Sequence, residues 1–205
     1  MHFRKAFIIM FAMSIMGYAV PPYFWYSTYS VERYLITGCV GNYSYTHDIA
    51  DSFHTAVNAH TISNKWRRYH RQDTACTVAR WTGTSAEINA ADFLLYVGHG
   101  ASSGPIFGCN SSITNYNDIR FHGGGYLKWV QGISCNWFVP ASLDPDSLGM
   151  SEFARWNPCF QGVHTVQGHR ASAYDISPYS HCSDQFLDMW VDQGYSIWYS
   201  WKESQ

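Results

Sequence analysis

Two hydrophobic periods alternate along this chain, and the switches between them predict its elements. "THDIADSFHTAVNAH" (46–60) places Ile49, Phe53, Ala56 and Val57 at helical spacing behind Thr46 or Asp48 as N-cap, which predicts a helix. "SHCSDQFLDMWVDQG" (180–194) predicts another, with Phe186, Leu187, Trp190 and Val191 on one face and Gly194 placed to end it. A third is expected within "DSLGMSEFARW" (146–156). Strand patterns lie between them. "VERYLITG" (31–38) alternates, "TACTVARW" (74–81) is weaker, and "FLLYV" (93–97) is apolar throughout, as expected of a strand covered on both faces. "YLKWVQGIS" (126–134) and "FQGVHTVQGHR" (160–170) are further buried strands, while "YSIWYSWKESQ" (195–205) reads as a last strand, cut short or used as an edge. "SAEINAAD" (85–92) is a short connector, and the Gly-, Ser- and Asn-rich residues 101–125 form a long loop of the kind that carries function or moves.

Strands separated by helices imply an α/β fold, a mostly parallel sheet flanked by helices on both faces. Functional residues of such sheets gather at the carboxyl ends of the strands. A chain of 205 residues, 46% of them apolar, is enough for one domain and too little to suggest a second.

The N-terminus changes the compartment. "MHFRKAFIIMFAMSIMGYAV" has basic Arg4 and Lys5, an uncharged run from Ala6 to Met16, and small Gly17 and Ala19, the layout of a secretory signal peptide over residues 1–19. Its apolar run is about half of the roughly 20 residues that cross a bilayer, so no permanent membrane span is expected after cleavage. The mature domain is then 20–205, secreted, periplasmic or on the cell surface, and cut short at its C-terminus if the sheet lacks a strand. Cleavage leaves 11 of the 13 basic residues against 15 acidic ones, a balance that argues against nucleic acid as partner. The basic run "KWRRYHR" (65–71) reads as a solvated helix end or loop, with a polyanion grip as the alternative. The aromatic content of 18% supplies rigid contact area without specifying a ligand.

Six cysteines in an exported chain suggest disulfides, with Cys39–Cys76 and Cys159–Cys182 as possible bridges. No CxxC occurs, which removes zinc ribbons and thioredoxin-type sites.

The chemistry concentrates at two strand ends. "FLLYVGHG" (93–100) delivers His99 to a turn, and "WVQGISCNW" (129–137) delivers Cys135 in the same way. If the strands are parallel neighbours, both side chains emerge at one sheet edge, where an imidazole can take the thiol proton and later return it to a leaving amine. Gly98 and Gly100 allow a tight turn and close approach of a ligand. Backbone N–H groups after His99 and at Cys135 then suit a tetrahedral oxyanion. Ser134, Asn136, Trp137 and His169 complete the set of oxyanion and substrate-positioning candidates; Asp92 and Asp118 are weaker candidates for orienting His99, and His122 is a minor alternative base.

An apolar strand ending in His-Gly, followed by one ending in a small residue and Cys, resembles the caspase–gingipain–legumain clan of cysteine peptidases. Through "DFLLYVGHG", "GISCNW" and "FQGVHTVQGH" the chain also resembles an uncharacterised family of exported bacterial proteins over roughly residues 30–200. The clan resemblance implies a caspase-like fold, His99 as general base, Cys135 as nucleophile, Gly100 and Cys135 as oxyanion donors, a peptide or protein substrate, and no cofactor. "SC" is only an acceptable match to the small pair the clan carries at the nucleophile, and no arginine- or aspartate-bearing S1 pocket is apparent.

Three competing patterns carry less. A zinc site from His164, His169, His181 and Asp175 is opposed by the odd spacing of the first two along a strand, which puts them on opposite faces. "DPDSLG" (144–149) opens like a calcium loop, but Leu148 and Arg155 stand where oxygen ligands belong. "GISCN" is no serine elbow, since Asn136 replaces its last glycine. The alternative to a peptidase is a non-catalytic exported binding or structural domain of the same fold, with Cys135 in a disulfide.

Overall fold

The computed structural model describes residues 23–34, 41–60, 62, 64–83, 86–107, 117–121, 125–137, 150–168 and 179–204, the side chains of 179–182 excepted. In chain order its elements are β1 (Phe24–Ser30), α1 (Thr46–Ala59), β2 (Lys65–Gln72), β3 (Phe93–Val97), β4 (Gly100–Ala101), β5 (Gly104–Pro105), β6 (Trp129–Ile133), α2 (Glu152–Trp156), β7 (Thr165–Gln167), α3 (Tyr179–Leu187) and α4 (Ile197–Ser204). β1, β2, β3, β6 and β7 form one sheet in the order β2-β1-β3-β6-β7, every neighbouring pair parallel. This is the expected α/β architecture.

β3 is central, and its side chains serve both faces. Phe93, Leu95 and Val97 pack with Phe24 and Tyr26 of β1 and Trp129 and Ile133 of β6 beneath α1, α3 and α4. Leu94 and Tyr96 point the other way, into a second core with Tyr29, Trp81, Ile88, Phe107, Trp137 and Trp156. The first face is covered by long helices. The second is covered by α2 and by single 3-10 turns at Val78–Arg80, Glu87–Ala90 and Asn157–Cys159, which large aromatic rings make thick enough to exclude water.

Several expected boundaries move. The first strand is FWYSTYS, just upstream of "VERYLITG", whose described part (31–34) is irregular. "TACTVARW" is two 3-10 turns rather than a strand. "KWRRYHR" is edge strand β2, neither helix end nor loop, and its charges are used inside the molecule. Lys65 Nζ donates to the carbonyls of Val57, Asn58 and His60 at 2.7, 2.7 and 2.8 Å and so closes the C-terminal end of α1. Arg71 forks onto Glu87 at 2.8 Å for both bonds, and Arg68 lies 4.5 Å over the Trp25 ring. The stretch 195–205 is helix α4, because Ile197, Ser200, Trp201 and Ser204 repeat at helical spacing and are the residues it buries. α3 runs on through a π turn at Asp188–Asp192, with Phe186, Leu187 and Trp190 buried as predicted, and Gly194 takes φ +73° behind it. No described helix is long and apolar enough to cross a membrane. Residues 1–19 lie outside the described residues.

Candidate catalytic site

The strand order reverses between β1 and β3: the chain steps outward from β1 to β2, then to the other side through β3, β6 and β7. The carboxyl ends of β1 and β3 flank this reversal, the usual place for a site in an open parallel sheet. β3 and β6 pair in register from Phe93 with Trp129 to Val97 with Ile133, so His99 and Cys135 each stand two residues beyond the last pair. The Gly98 N–H donates to the Ile133 carbonyl at 3.2 Å and extends this pairing toward them.

The two glycines beside His99 are required by contact. A Cβ on Gly100 would stand 2.5 Å from the Cys135 carbonyl oxygen, 2.7 Å from Trp137 Nε1, and against Ser134 Oγ. A Cβ on Gly98 would stand 2.7 and 2.9 Å from the Tyr96 and Tyr34 hydroxyls. The histidine turn thus lies directly on the cysteine turn.

His99 is held by its backbone and by its ring. Its N–H donates to Tyr34 Oη at 2.7 Å, and the Tyr96 hydroxyl donates to its carbonyl at 2.8 Å, with Ile106 N–H on the same carbonyl at 3.0 Å. Burial pushes the pKa of both tyrosines up, so they remain neutral hydroxyls. Nε2 of the ring lies 2.7 Å from the Gly41 carbonyl, which can only accept. The neutral ring therefore carries its proton on Nε2 and its lone pair on Nδ1. The Tyr43 ring stacks on the imidazole at 4.0 Å between centroids and 26° between planes, and its hydroxyl is 3.9 Å from Cys135 Sγ. Both His99 and Cys135 are half-buried, and Cys135 is a thiol, so the alternative with Cys135 in a disulfide is not what the structure contains.

The family described as "Domain of unknown function (DUF6345)" matches residues 28–205. The chain belongs to that family. Its structure is similar to that of the Arg-specific cysteine proteinase gingipain R (RGPB), at a TM-score of 0.49 and 11% identity, over 85% of this chain and 38% of that one. The chain thus spans under half of the gingipain's length, and nothing about substrate follows from a likeness at that identity. No curated protein matches the chain.

The remaining candidates of this DUF6345 domain divide by burial. Asn136 is exposed at φ +61°, a left-handed turn position that asparagine tolerates. Ser134 and Trp137 are fully buried, and Trp137 stacks on Tyr96 and Trp156 at 5.8 Å each beneath the turn. His169 and His122 lie outside the described residues. Asp92 is at the amino end of β3, the opposite end of the sheet from His99, where it accepts from Trp25 N–H at 3.1 Å and Lys128 Nζ at 2.6 Å; it does not orient His99. Asp118 is exposed and its carbonyl is taken by Gly83 N–H at 2.9 Å. Cys76 and Cys159 are buried thiols pushed up to about 12 by burial, which corrects the two expected bridges; Cys39 and the Cys182 side chain lie outside the described residues. Among the described residues no three His, Cys, Asp or Glu side chains are arranged for a metal ion, and His164, at the amino end of β7, stands edge-on to Trp129 at 6.0 Å.

Sequence reasoning missed Tyr34, Gly41 and Tyr43. All three come from the segment after β1, and only their meeting with the β3 turn in space marks them.

Proposed function

We propose that this protein is an exported cysteine peptidase or amide hydrolase acting on peptide or protein substrates through His99 and Cys135. The observation that carries the reading is the equivalent placement of these two residues, each two positions past the Val97–Ile133 pair on adjacent parallel strands. Parallel neighbours lie about 4.8 Å apart, so the pair is within reach of one proton transfer. His99 Nδ1 takes the Cys135 proton, while the Gly41 carbonyl steadies the imidazolium through Nε2–H. The thiolate then attacks the substrate carbonyl carbon, a C–S bond forms, and the carbonyl electron pair moves to oxygen, where the Gly100 and Cys135 N–H groups are the candidate donors. Collapse breaks the C–N bond, His99 returns the proton to the leaving amine, and water attacks the thioester to release the acid and restore the thiol.

The direct test is hydrolysis of a mixed peptide library by the secreted protein, read by mass spectrometry, beside Cys135→Ala and His99→Ala. Turnover that falls by at least about 10³-fold in both variants bears the reading out. No turnover by the wild type, or turnover unchanged in Cys135→Ala, sinks it and leaves a binding domain on the same fold.

A further inference from the structure

Tyr43 belongs to no sequence motif, yet it touches both members of the pair. We infer that Tyr43 is a positioning residue that favours the imidazolium–thiolate form of His99 and Cys135 over the neutral form, an inference that rests on the dyad reading above. Its ring lies on the imidazole at 4.0 Å and its hydroxyl reaches toward Cys135 Sγ at 3.9 Å. The main chain fixes it there: Tyr43 N–H donates to the Glu32 carbonyl at 3.0 Å, and Gly41, two residues earlier, meets His99 Nε2 at 2.7 Å.

The physics is selective for the charged pair. Transfer of the proton from sulfur to nitrogen creates a cation under an aromatic face and an anion beside a hydroxyl. A π face attracts a cation within about 6 Å of its centroid, and a hydroxyl donates more strongly to a thiolate than to a thiol. In the neutral pair neither contact gains as much. Tyr43 is also redundant for placing the His99 backbone, since Tyr34 and Tyr96 already hold its N–H and its carbonyl. Among the described residues, the titratable groups near the pair are Tyr34, which holds the His99 N–H, Tyr96, which holds its carbonyl, Cys76 and Asp73, whose charges act on Tyr34, and Glu32, whose carbonyl holds the Tyr43 N–H, with His47 between Glu32 and Asp73. Glu32 and Asp73 are paired with His47 at 3.3 and 3.1 Å, and their charge is directed there.

Alkylation of Cys135 by iodoacetamide, followed against pH on the purified protein by mass spectrometry, separates these roles. Tyr43→Phe keeps the stack and removes the hydroxyl; Tyr43→Leu removes both. Tyr43→Phe is expected to move the thiolate titration up by about one pH unit, or about tenfold less thiolate at neutral pH, with the same limiting rate at high pH. Tyr43→Leu should move it further. If both variants overlay the wild type while His99→Ala shifts the curve, Tyr43 only packs and the dyad reading survives without it. If the limiting rate rises in both with no shift of the curve, Tyr43 is a cover and the inference is wrong. If wild-type Cys135 titrates as an ordinary thiol near about 8.5 and His99→Ala changes nothing, the dyad reading and this inference fall together. Should Tyr43→Leu fail to fold by circular dichroism, Tyr43→Phe alone decides.

Discussion

Gly100 is the residue on which the contact between the two turns depends. Its missing side chain lets the His99 turn rest on the Cys135 carbonyl, where a methyl group would meet backbone and the buried Trp137 ring, neither of which can swing away. Gly100→Ala is therefore expected to cost about 1–3 kcal/mol in urea unfolding and to slow Cys135 alkylation, because the turns must separate. Unchanged stability and reactivity would show that they do not touch. The cysteines give a sharper contrast. Cys76 and Cys159, buried and pushed up to about 12, should stay unlabelled in native protein at pH 8, while half-buried Cys135 labels. Mass-spectrometric mapping before and after denaturation checks this, and rapid native labelling of Cys159 would contradict its burial. At this scale the placement of the two glycines, His99 and Cys135 was legible, because apolar strands that stop at such residues form a local pattern. Tyr43 and Gly41 were not, because stacking and a carbonyl contact across 58 residues leave no trace in local spacing.

Elements were legible where one period dominates. α1 and β3 match their patterns to within a residue or so, since each has a single buried face or is buried on all sides. β1 was missed because Ser27, Thr28 and Ser30, polar but small, are fully buried in it and break the apolar pattern. α4 was misread because "SIWYSW" fits both a period of two and a period of 3.6, and packing against α3 decides between them. The π turn that ends α3 places Trp190 against Phe24, Phe93, Trp129 and Phe186, with ring centroids 5.5–6.2 Å away. Trp190→Ala is expected to lose about 3–5 kcal/mol in chemical denaturation, with α4 loosening first in hydrogen exchange. A loss below about 1 kcal/mol would mean that this cluster is not the keystone of the helical face.

For the molecule as a whole, pH acts in part through half-buried groups among the described residues, His54, His70 and Glu87. Burial, aided by Arg67, lowers the pKa of His54 and His70 below the ordinary value of 6.5. The unfolded chain then binds protons that the folded one refuses, so stability falls as pH drops below about 6.5. Glu87 works lower on the scale: burial pushes it up, but its bonds from Arg71 and Tyr29 and the charges of Arg71 and Arg80 outweigh that and hold it below 4.5. Its stabilisation is present above that value and is lost as pH falls through the depressed one. Thermal melts from pH 8 to 4 should show a flat region, a decline starting near 6.5 and a steeper one below about 4.5; His70→Gln should flatten the first. A melting point that rises on acidification between about 7 and 5.5 would reverse the sign argued here. What the sequence by itself determined is the class of fold, the buried central strand and the placement of His99 and Cys135 just past two strand ends, all of which follow from short-range periodicity. The tertiary structure alone decided that β3 and β6 are neighbours in register, that the strand order reverses between β1 and β3, and that the segment after β1 supplies the groups around the pair. Strand order and loop meeting are set by long-range packing, which no local spacing records.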